Sequence, residues 1–111
     1  MRQRRDEIPP GTLDMLILKT LARGGSMHGF EIADSILQVS DDVLQVEEGS
    51  LYPSLQRMLM KGWLEGEWGR TADNRRARYY QLTRAGRTQL AQEIARYQRV
   101  SSAIARIVQP A

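Results

Sequence analysis

The segment WLEGEWGRTADNRRARYYQL, Trp63 to Leu82, carries the clearest structural signal in this chain. Its two ends, Trp63 to Trp68 and Ala77 to Leu82, combine aromatic, branched and alternating residues, and the turn-forming pair Asp73-Asn74 lies between them. Such a pattern predicts two strands joined by a tight turn. Three arginines would lie near that turn: Arg75, Arg76 and Arg78. The residues expected to pack beneath the hairpin are Trp63, Leu64, Trp68, Tyr80 and Leu82.

Three helices are predicted before the hairpin. The first spans roughly residues 12–23, where leucine and isoleucine recur at helical spacing. Ser26 is the predicted N-cap of the second helix. The third runs over residues 48–61, and Pro53 is tolerated early in it because first-turn amides have no intrahelical partner. The short run of residues 43–46 forms either a brief strand or a buried loop.

A long helix is predicted after the hairpin, with Thr83 as its cap and Gly86 allowing a close backbone approach. Roughly 24 residues would make it about 36 Å long, more than the small body before it can cover. Its side chains recur at spacings of three and four, a heptad-like stripe typical of helices that pair: Leu90, Ile94, Tyr97, Ser101, Ile104 and Val108. The first three have an alternative partner in the chain's own first helix. The last two lie too far along for that, so we predict a dimer interface.

Charge is unevenly distributed along the 111 residues, which are enough for one domain. The net charge is +3, yet every formal charge from His28 to Glu48 is acidic. From Arg70 onward arginine dominates, and Asp73 and Glu93 are the only acids. A segregated basic face favours a polyanion as partner, although a surface that only aids solubility is the alternative.

The third helix has two distinct faces when it is projected at 100° per residue. The core side carries Leu51, Leu55, Met58 and Leu59, and the outward side carries Gly49, Ser50, Pro53, Gln56, Arg57 and Met60, with Tyr52 on the flank. Small residues let a backbone approach a DNA groove, and Gln or Arg side chains reach base edges or phosphates. Such residues also occur on ordinary solvated faces, and Glu47 and Glu48 oppose a polyanion there. The hairpin arginines favour DNA, because they can reach phosphates or a minor groove while the helix occupies the major groove.

Several functional classes are disfavoured by the composition. There is no cysteine, one histidine, and no serine–base or carboxylate pair with the spacing of an active site, so we expect neither an enzyme nor a cofactor or metal site. We expect His28 to be a structural residue near a helix start. The apolar cluster Leu13 to Leu18 is too short to span a bilayer, so we expect no signal peptide, no membrane segment and a cytoplasmic location. Residues 1–10 are basic and lack periodicity, which predicts a flexible arm.

Five blocks of the sequence resemble the PadR family of bacterial transcriptional regulators. They are GTLDMLILKTL (11–21), MHGFEIADSI (27–36), EEGSLYPSLQRM (47–58), GWLEGEW (62–68) and NRRARYYQLTRAG (74–86). The blocks cover most of residues 11–86 in order, and SLYPSLQRM and RYYQLTRAG are the most specific. The chain looks most like the short branch of the family, in which a single helix forms the C-terminal part.

The resemblance implies a mainly α fold with a small β-hairpin: a winged helix-turn-helix domain over residues 11–83 and a dimerisation helix over residues 84–109. It also implies a dimer that represses a promoter bearing an inverted repeat, and in some members a small aromatic or amphipathic ligand as inducer. By position, the recognition helix is Glu48 to Lys61 and the wing is Trp63 to Leu82. The residues expected at double-stranded DNA are Ser50, Tyr52, Pro53, Gln56 and Arg57, with Arg75, Arg76 and Arg78 on the wing. The alternative is a winged helix that binds protein rather than DNA, for which Glu47 and Glu48 argue.

Overall fold

The computed structural model describes residues 5–110, and within them it forms four helices and five short strands. In chain order these are β1 (Asp6–Glu7), α1 (Leu13–Gly24), β2 (Met27–His28), α2 (Gly29–Val39), β3 (Leu44–Gln45), α3 (Glu48–Met60), β4 (Leu64–Arg70), β5 (Arg76–Leu82) and α4 (Arg84–Val108). Strands β2, β5 and β4 form an antiparallel sheet in that order. Three helices followed by a hairpin and a long helix confirm the predicted winged helix-turn-helix fold.

The core lies where the first three helices meet the base of the hairpin. Helix α1 is central, since it contacts α2, α3, α4 and β5. Its apolar stripe is buried or half-buried, as the helical spacing predicted. The fully buried side chains come from three helices: Ile17, Leu18, Leu21, Ile32, Leu51, Leu55 and Met58. Leu64 and Tyr80 close this core from the hairpin, so the wing is anchored at its base.

The start of α2 differs from the prediction that Ser26 is its N-cap. Met27 and His28 instead pair with Tyr80 and Tyr79 of β5, and the helix begins after His28. His28 caps it with a reciprocal pair of hydrogen bonds: its Nδ1 accepts from the Glu31 amide at 3.4 Å, and its own amide donates to Glu31 Oε1 at 3.1 Å. His28 is thus a structural residue, as expected.

The predicted arm, residues 1–10, is only partly described, since Met1 to Arg4 lie outside the described residues. In the described part, Asp6 and Glu7 pair in parallel with Leu44 and Gln45. Arg5 adds an ion pair to Asp42 at 3.2 Å. The brief-strand alternative for residues 43–46 is therefore correct, and residues 5–7 are held against the body rather than free of it.

Helix α4 begins with the predicted cap. The Thr83 hydroxyl accepts from the Gly86 amide at 3.0 Å and donates to the Gly62 carbonyl at 2.6 Å. A Cβ at Gly86 would collide with the Trp63 carbonyl oxygen, which confirms the predicted close approach. Only Gly86 and Leu90 of this 25-residue helix are buried. Although α4 is long, no helix within residues 5–110 is both long and apolar enough to cross a membrane.

Candidate nucleic-acid interface

The outward face of α3 is exposed as predicted. Leu51, Leu55 and Met58 are buried, and Leu59 packs against the core. The exposed residues are Gly49, Ser50, Tyr52, Pro53, Gln56, Arg57 and Met60. Glu47 and Glu48 are exposed at the helix N-terminus, where carboxylates interact favourably with the positive end of the helix dipole. This face therefore carries small residues, an amide and a guanidinium.

Arg57 differs from its neighbours on α3 because its charge already has a partner. Its Nη2 donates to both carboxylate oxygens of Asp14 on α1, at 2.5 and 2.6 Å. The Asp14 side chain is only 20% exposed, which limits screening by water. The ion pair between Arg57 and Asp14 therefore links α3 to α1. The side-chain amide of Gln56, by contrast, makes no hydrogen bond within the described chain.

The two faces of the hairpin carry opposite charge. The register pairs Leu64 with Leu82, Gly66 with Tyr80, Trp68 with Arg78 and Arg70 with Arg76. Because side chains alternate along a strand, these eight residues share one face, and buried Leu64 and Tyr80 show that it is the core face. Glu65 and Glu67 lie on the other face. The core-side face thus becomes basic where it extends beyond the core.

Trp68 is 57% exposed, so the prediction that it packs beneath the hairpin was wrong. The other four predicted packing residues are buried or half-buried against the core: Trp63, Leu64, Tyr80 and Leu82. Trp68 lies four residues beyond Leu64, where β4 has passed the end of the core. There the Arg76 guanidinium stacks on the indole, 4.5 Å from the ring centroid. The indole of Trp68 therefore holds the Arg76 guanidinium through a cation–π interaction.

Arg78 lies flat across β4. Its Nε is fully covered, and within residues 5–110 it has no hydrogen-bond partner. The side chain runs beside buried Tyr80: burial raises the pKa of the Tyr80 hydroxyl, and the positive charge of Arg78 opposes that rise. Unlike Arg57, Arg78 forms no ion pair within the described part of the chain.

The hairpin tip is held by several hydrogen bonds. The Thr71 amide donates to the Arg75 carbonyl at 2.8 Å, and Asn74 adopts a positive φ of 65°, which asparagine tolerates well. Arg75 reaches back to Asp73 at 3.4 Å. These contacts confirm the predicted Asp73-Asn74 turn and fix the direction in which the wing points.

An open groove brings part of the predicted site together. Tyr52 of α3 and the three wing arginines Arg75, Arg76 and Arg78 line it. Further aromatic residues that the sequence did not place there also line it, among them Trp68, and Phe30, which is 71% exposed at the start of α2. Ser50, Pro53, Gln56 and Arg57 lie outside this lining, elsewhere on the exposed face of α3. Strand alternation from buried Leu64 places Trp68 on this face, but it does not show that the core ends before Trp68.

The predicted dimer stripe on α4 divides into two parts. Leu90 is buried in the chain's own core and Ile94 packs against that core, which supports the alternative for these two residues. From Tyr97 onward the apolar side chains are exposed: Tyr97, Val100, Ile104, Ile107 and Val108. At 100° per residue these five and Ser101 fall within an arc of about 120°. A strict heptad spacing missed Val100 and Ile107, which the helical projection finds.

Residues 17–92 match the model of a family described as the transcriptional regulator PadR-like family. Among solved structures, a transcriptional regulator from Clostridium thermocellum has a TM-score of 0.81 and 25% sequence identity, over 89% of this chain and 95% of that one. A PadR-like transcriptional regulator from Bacillus cereus has a TM-score of 0.74 and 26% identity, over 91% and 95%. PadR of Bacillus subtilis, solved in complex with operator DNA, has a TM-score of 0.66 and 21% identity, over 78% of this chain and 48% of that one. At that identity the likeness to the DNA complex concerns the fold.

Proposed function

The chain belongs to the PadR-like family of transcriptional regulators, and we propose that it acts by binding double-stranded DNA as a dimer, repressing a promoter that carries an inverted repeat. The observation that carries this proposal is the position of the basic wing face. Arg76 and Arg78 line the same groove as Tyr52 of α3, so the helix and the wing face one partner. The fold relative solved with operator DNA supports the same partner.

Helix α3 supplies the sequence readout in this proposal. Gly49 and Ser50 leave room for the helix N-terminus to approach a major groove, and Gln56 presents an amide that can pair with an adenine edge. Arg57 has a smaller part than the sequence indicated, because its guanidinium is held by Asp14. Tyr52 and Pro53 complete the surface beside the groove.

The wing supplies affinity and register. Arg76 and Arg78 have no carboxylate partner within residues 5–110, so their charges are available to phosphates or to a narrow minor groove. Arg75 is farther out and is partly balanced by Asp73. Most of the salt-dependent affinity should therefore come from Arg76 and Arg78.

Dimerisation rests on the far half of α4. An exposed apolar stripe over residues 97–108 needs a partner surface, and a second copy of the same helix offers a matching one. Two wing–helix units joined by a two-fold axis would suit an inverted repeat.

The proposal includes release by a small aromatic or amphipathic molecule, the ligand class that the family resemblance implies. A hollow of about 350 Å³ between α1 and α2 supports it, since this is within the size range of ligand pockets. Leu16, Ile36, Val39 and Leu44 line it. The test adds a phenolic acid, or separately an uncharged amphipathic aromatic compound, to the preformed DNA complex. If either compound releases the protein from DNA at micromolar concentration, ligand-controlled release is supported. If the complex persists with both compounds, ligand-controlled release is refuted.

A mobility-shift titration with the DNA directly upstream of the chain's own gene tests DNA binding. We expect a specific complex that weakens steeply with salt. A selection from random duplexes should then show that Gln56→Ala changes the preferred sequence, whereas Arg57→Ala should leave it nearly unchanged. If no salt-sensitive complex forms at low salt, the exposed Glu47 and Glu48 favour the other candidate, a winged helix that binds protein.

A further inference from the structure

We propose that Gly66 is a positioning residue of the wing: its missing side chain allows the Arg78 guanidinium to lie across β4, and so fixes the point at which Arg78 meets a DNA phosphate. This inference rests on the proposed DNA binding. It assigns a function to a residue that has no side chain with which to touch DNA.

The geometry makes Gly66 and Arg78 direct neighbours on the basic face. Gly66 pairs with Tyr80 and Trp68 pairs with Arg78, so Arg78 is diagonal to Gly66 and leans over it. A Cβ built on Gly66 would lie 2.5 Å from Arg78 Nε and 3.0 Å from both Cζ and Nη2. Real Cβ atoms essentially never approach other atoms to 2.5 Å, so the guanidinium would have to move.

Backbone conformation does not explain the glycine. The positive-φ glycines in the described chain are Gly11, Gly25 and Gly62, so Gly66 has a backbone that an L-residue can adopt. The obstruction is a flexible side chain and not backbone, so the fold can accept alanine by letting Arg78 swing away. The residue therefore matters for where Arg78 lies and little for whether the strand forms.

The surroundings of Arg78 make the position of its guanidinium sensitive to a side chain added at residue 66. Its Nε is covered and without a hydrogen-bond partner in residues 5–110, and no carboxylate there pairs with it. Packing over Gly66 is therefore a main restraint on the guanidinium. On the opposite face of the same strand, Gly69 is a matched control: a Cβ there would meet only the Tyr79 ring, at 3.0 Å.

The test measures binding of the full chain to a fluorescein-labelled random-sequence duplex across a salt series. The variants are Gly66→Ala, Arg78→Ala, the double variant and the control Gly69→Ala. We expect Arg78→Ala to weaken binding about tenfold, as expected for a charge-assisted hydrogen bond, and to reduce the salt slope by about 0.9. Gly66→Ala should produce a similar loss with an unchanged melting temperature. The double variant should bind like Arg78→Ala alone, and Gly69→Ala like the wild type.

Each other outcome contradicts the inference in a recognisable way. If Arg78→Ala weakens binding and Gly66→Ala does not, Gly66 has no positioning role although the wing binds DNA. If the two losses multiply in the double variant, Gly66 acts by a route other than Arg78. If Gly66→Ala lowers the melting temperature along with binding, its role is structural. If the wild type itself shows no salt-sensitive binding, the proposed function fails first.

Discussion

The arginines of α3 and the wing differ mainly in which groups lie beside their charges. Arg57 is bound by Asp14, and Arg75 lies beside Asp73. Arg76 rests on the Trp68 ring, and Arg78 crosses Gly66 without a carboxylate partner in the described chain. Four arginines that look equivalent in the sequence therefore have different capacities to bind an anion.

Arg76→Ala should weaken binding to all duplex sequences by a similar factor and reduce the salt slope by about 0.9. The reason is that, in the proposed complex, Arg76 would supply one phosphate contact and no base contact. Arg75→Ala removes the same charge one residue away and is the matched control, with a smaller slope change because Asp73 balances Arg75 in part. Fluorescence anisotropy across a salt series measures both. Equal slopes for Arg76→Ala and wild type would remove Arg76 from the interface.

The sequence predicted which arginines gather on the hairpin, because turn-forming residues and strand alternation are local signals. It did not predict their partners. Asp14 and Arg57 are 43 residues apart, so their ion pair depends on the tertiary packing of α1 against α3. Trp68 was misplaced for a related reason: alternation shows which face a residue shares with Leu64, but not where the core beneath that face ends.

Helix α4 carries a titratable side chain, Glu93, whose ionised form opposes the packing of the helix at neutral pH. Burial raises the pKa of Glu93, a hydrogen bond from Gln89 lowers it in part, and Asp14 raises it further. Because the folded-state pKa lies above the unfolded value, the folded chain holds the proton more tightly. Stability therefore falls as pH rises through the interval between the two values, and the full penalty is present at neutral pH.

Glu93→Gln should accordingly raise the melting temperature at pH 7 and have little effect below about pH 3, where the carboxyl is mostly protonated in both states. Circular dichroism melts at the two pH values measure this. Glu67→Gln removes an equal charge from an exposed position on β4 and should shift neither melt appreciably. An equal shift for Glu93→Gln at both pH values would show that burial of the charge is not the cause.

The elements themselves were largely predictable, since helical spacing, Thr83 and the glycines near helix ends are local features. The start of α2 was not. Ser26 is a good capping residue by type, yet β5 recruits Met27 and His28 into the sheet and moves the cap to His28. That pairing joins residues about fifty positions apart, so no local pattern contains it. The parallel pairing of β1 with β3 was missed for the same reason.

For the whole molecule, the apolar stripe of residues 97–108 predicts a dimer that a single charge should disrupt. Ile104→Glu places a carboxylate at the centre of the stripe, where it would be buried without a partner in the dimer. Ser102→Glu adds the same charge on the opposite side of α4 and serves as the control. Sedimentation at micromolar concentration should show a dimer for the wild type and Ser102→Glu, and mainly the 12.7 kDa monomer for Ile104→Glu. A wild-type monomer would refute the interface.

Hydroxyl-radical footprinting on the DNA upstream of the chain's own gene examines helix, wing and dimer together. We expect two protected half-sites of inverted sequence. Their centres should be separated by about one helical turn of DNA, roughly 34 Å, or by a multiple of that distance. The reason is that two α3 helices related by a two-fold axis must enter major grooves on the same side of the duplex. Protection should fade with added salt. A single unpaired patch, or no protection at low salt, would contradict a dimeric regulator that reads DNA through α3 and the wing.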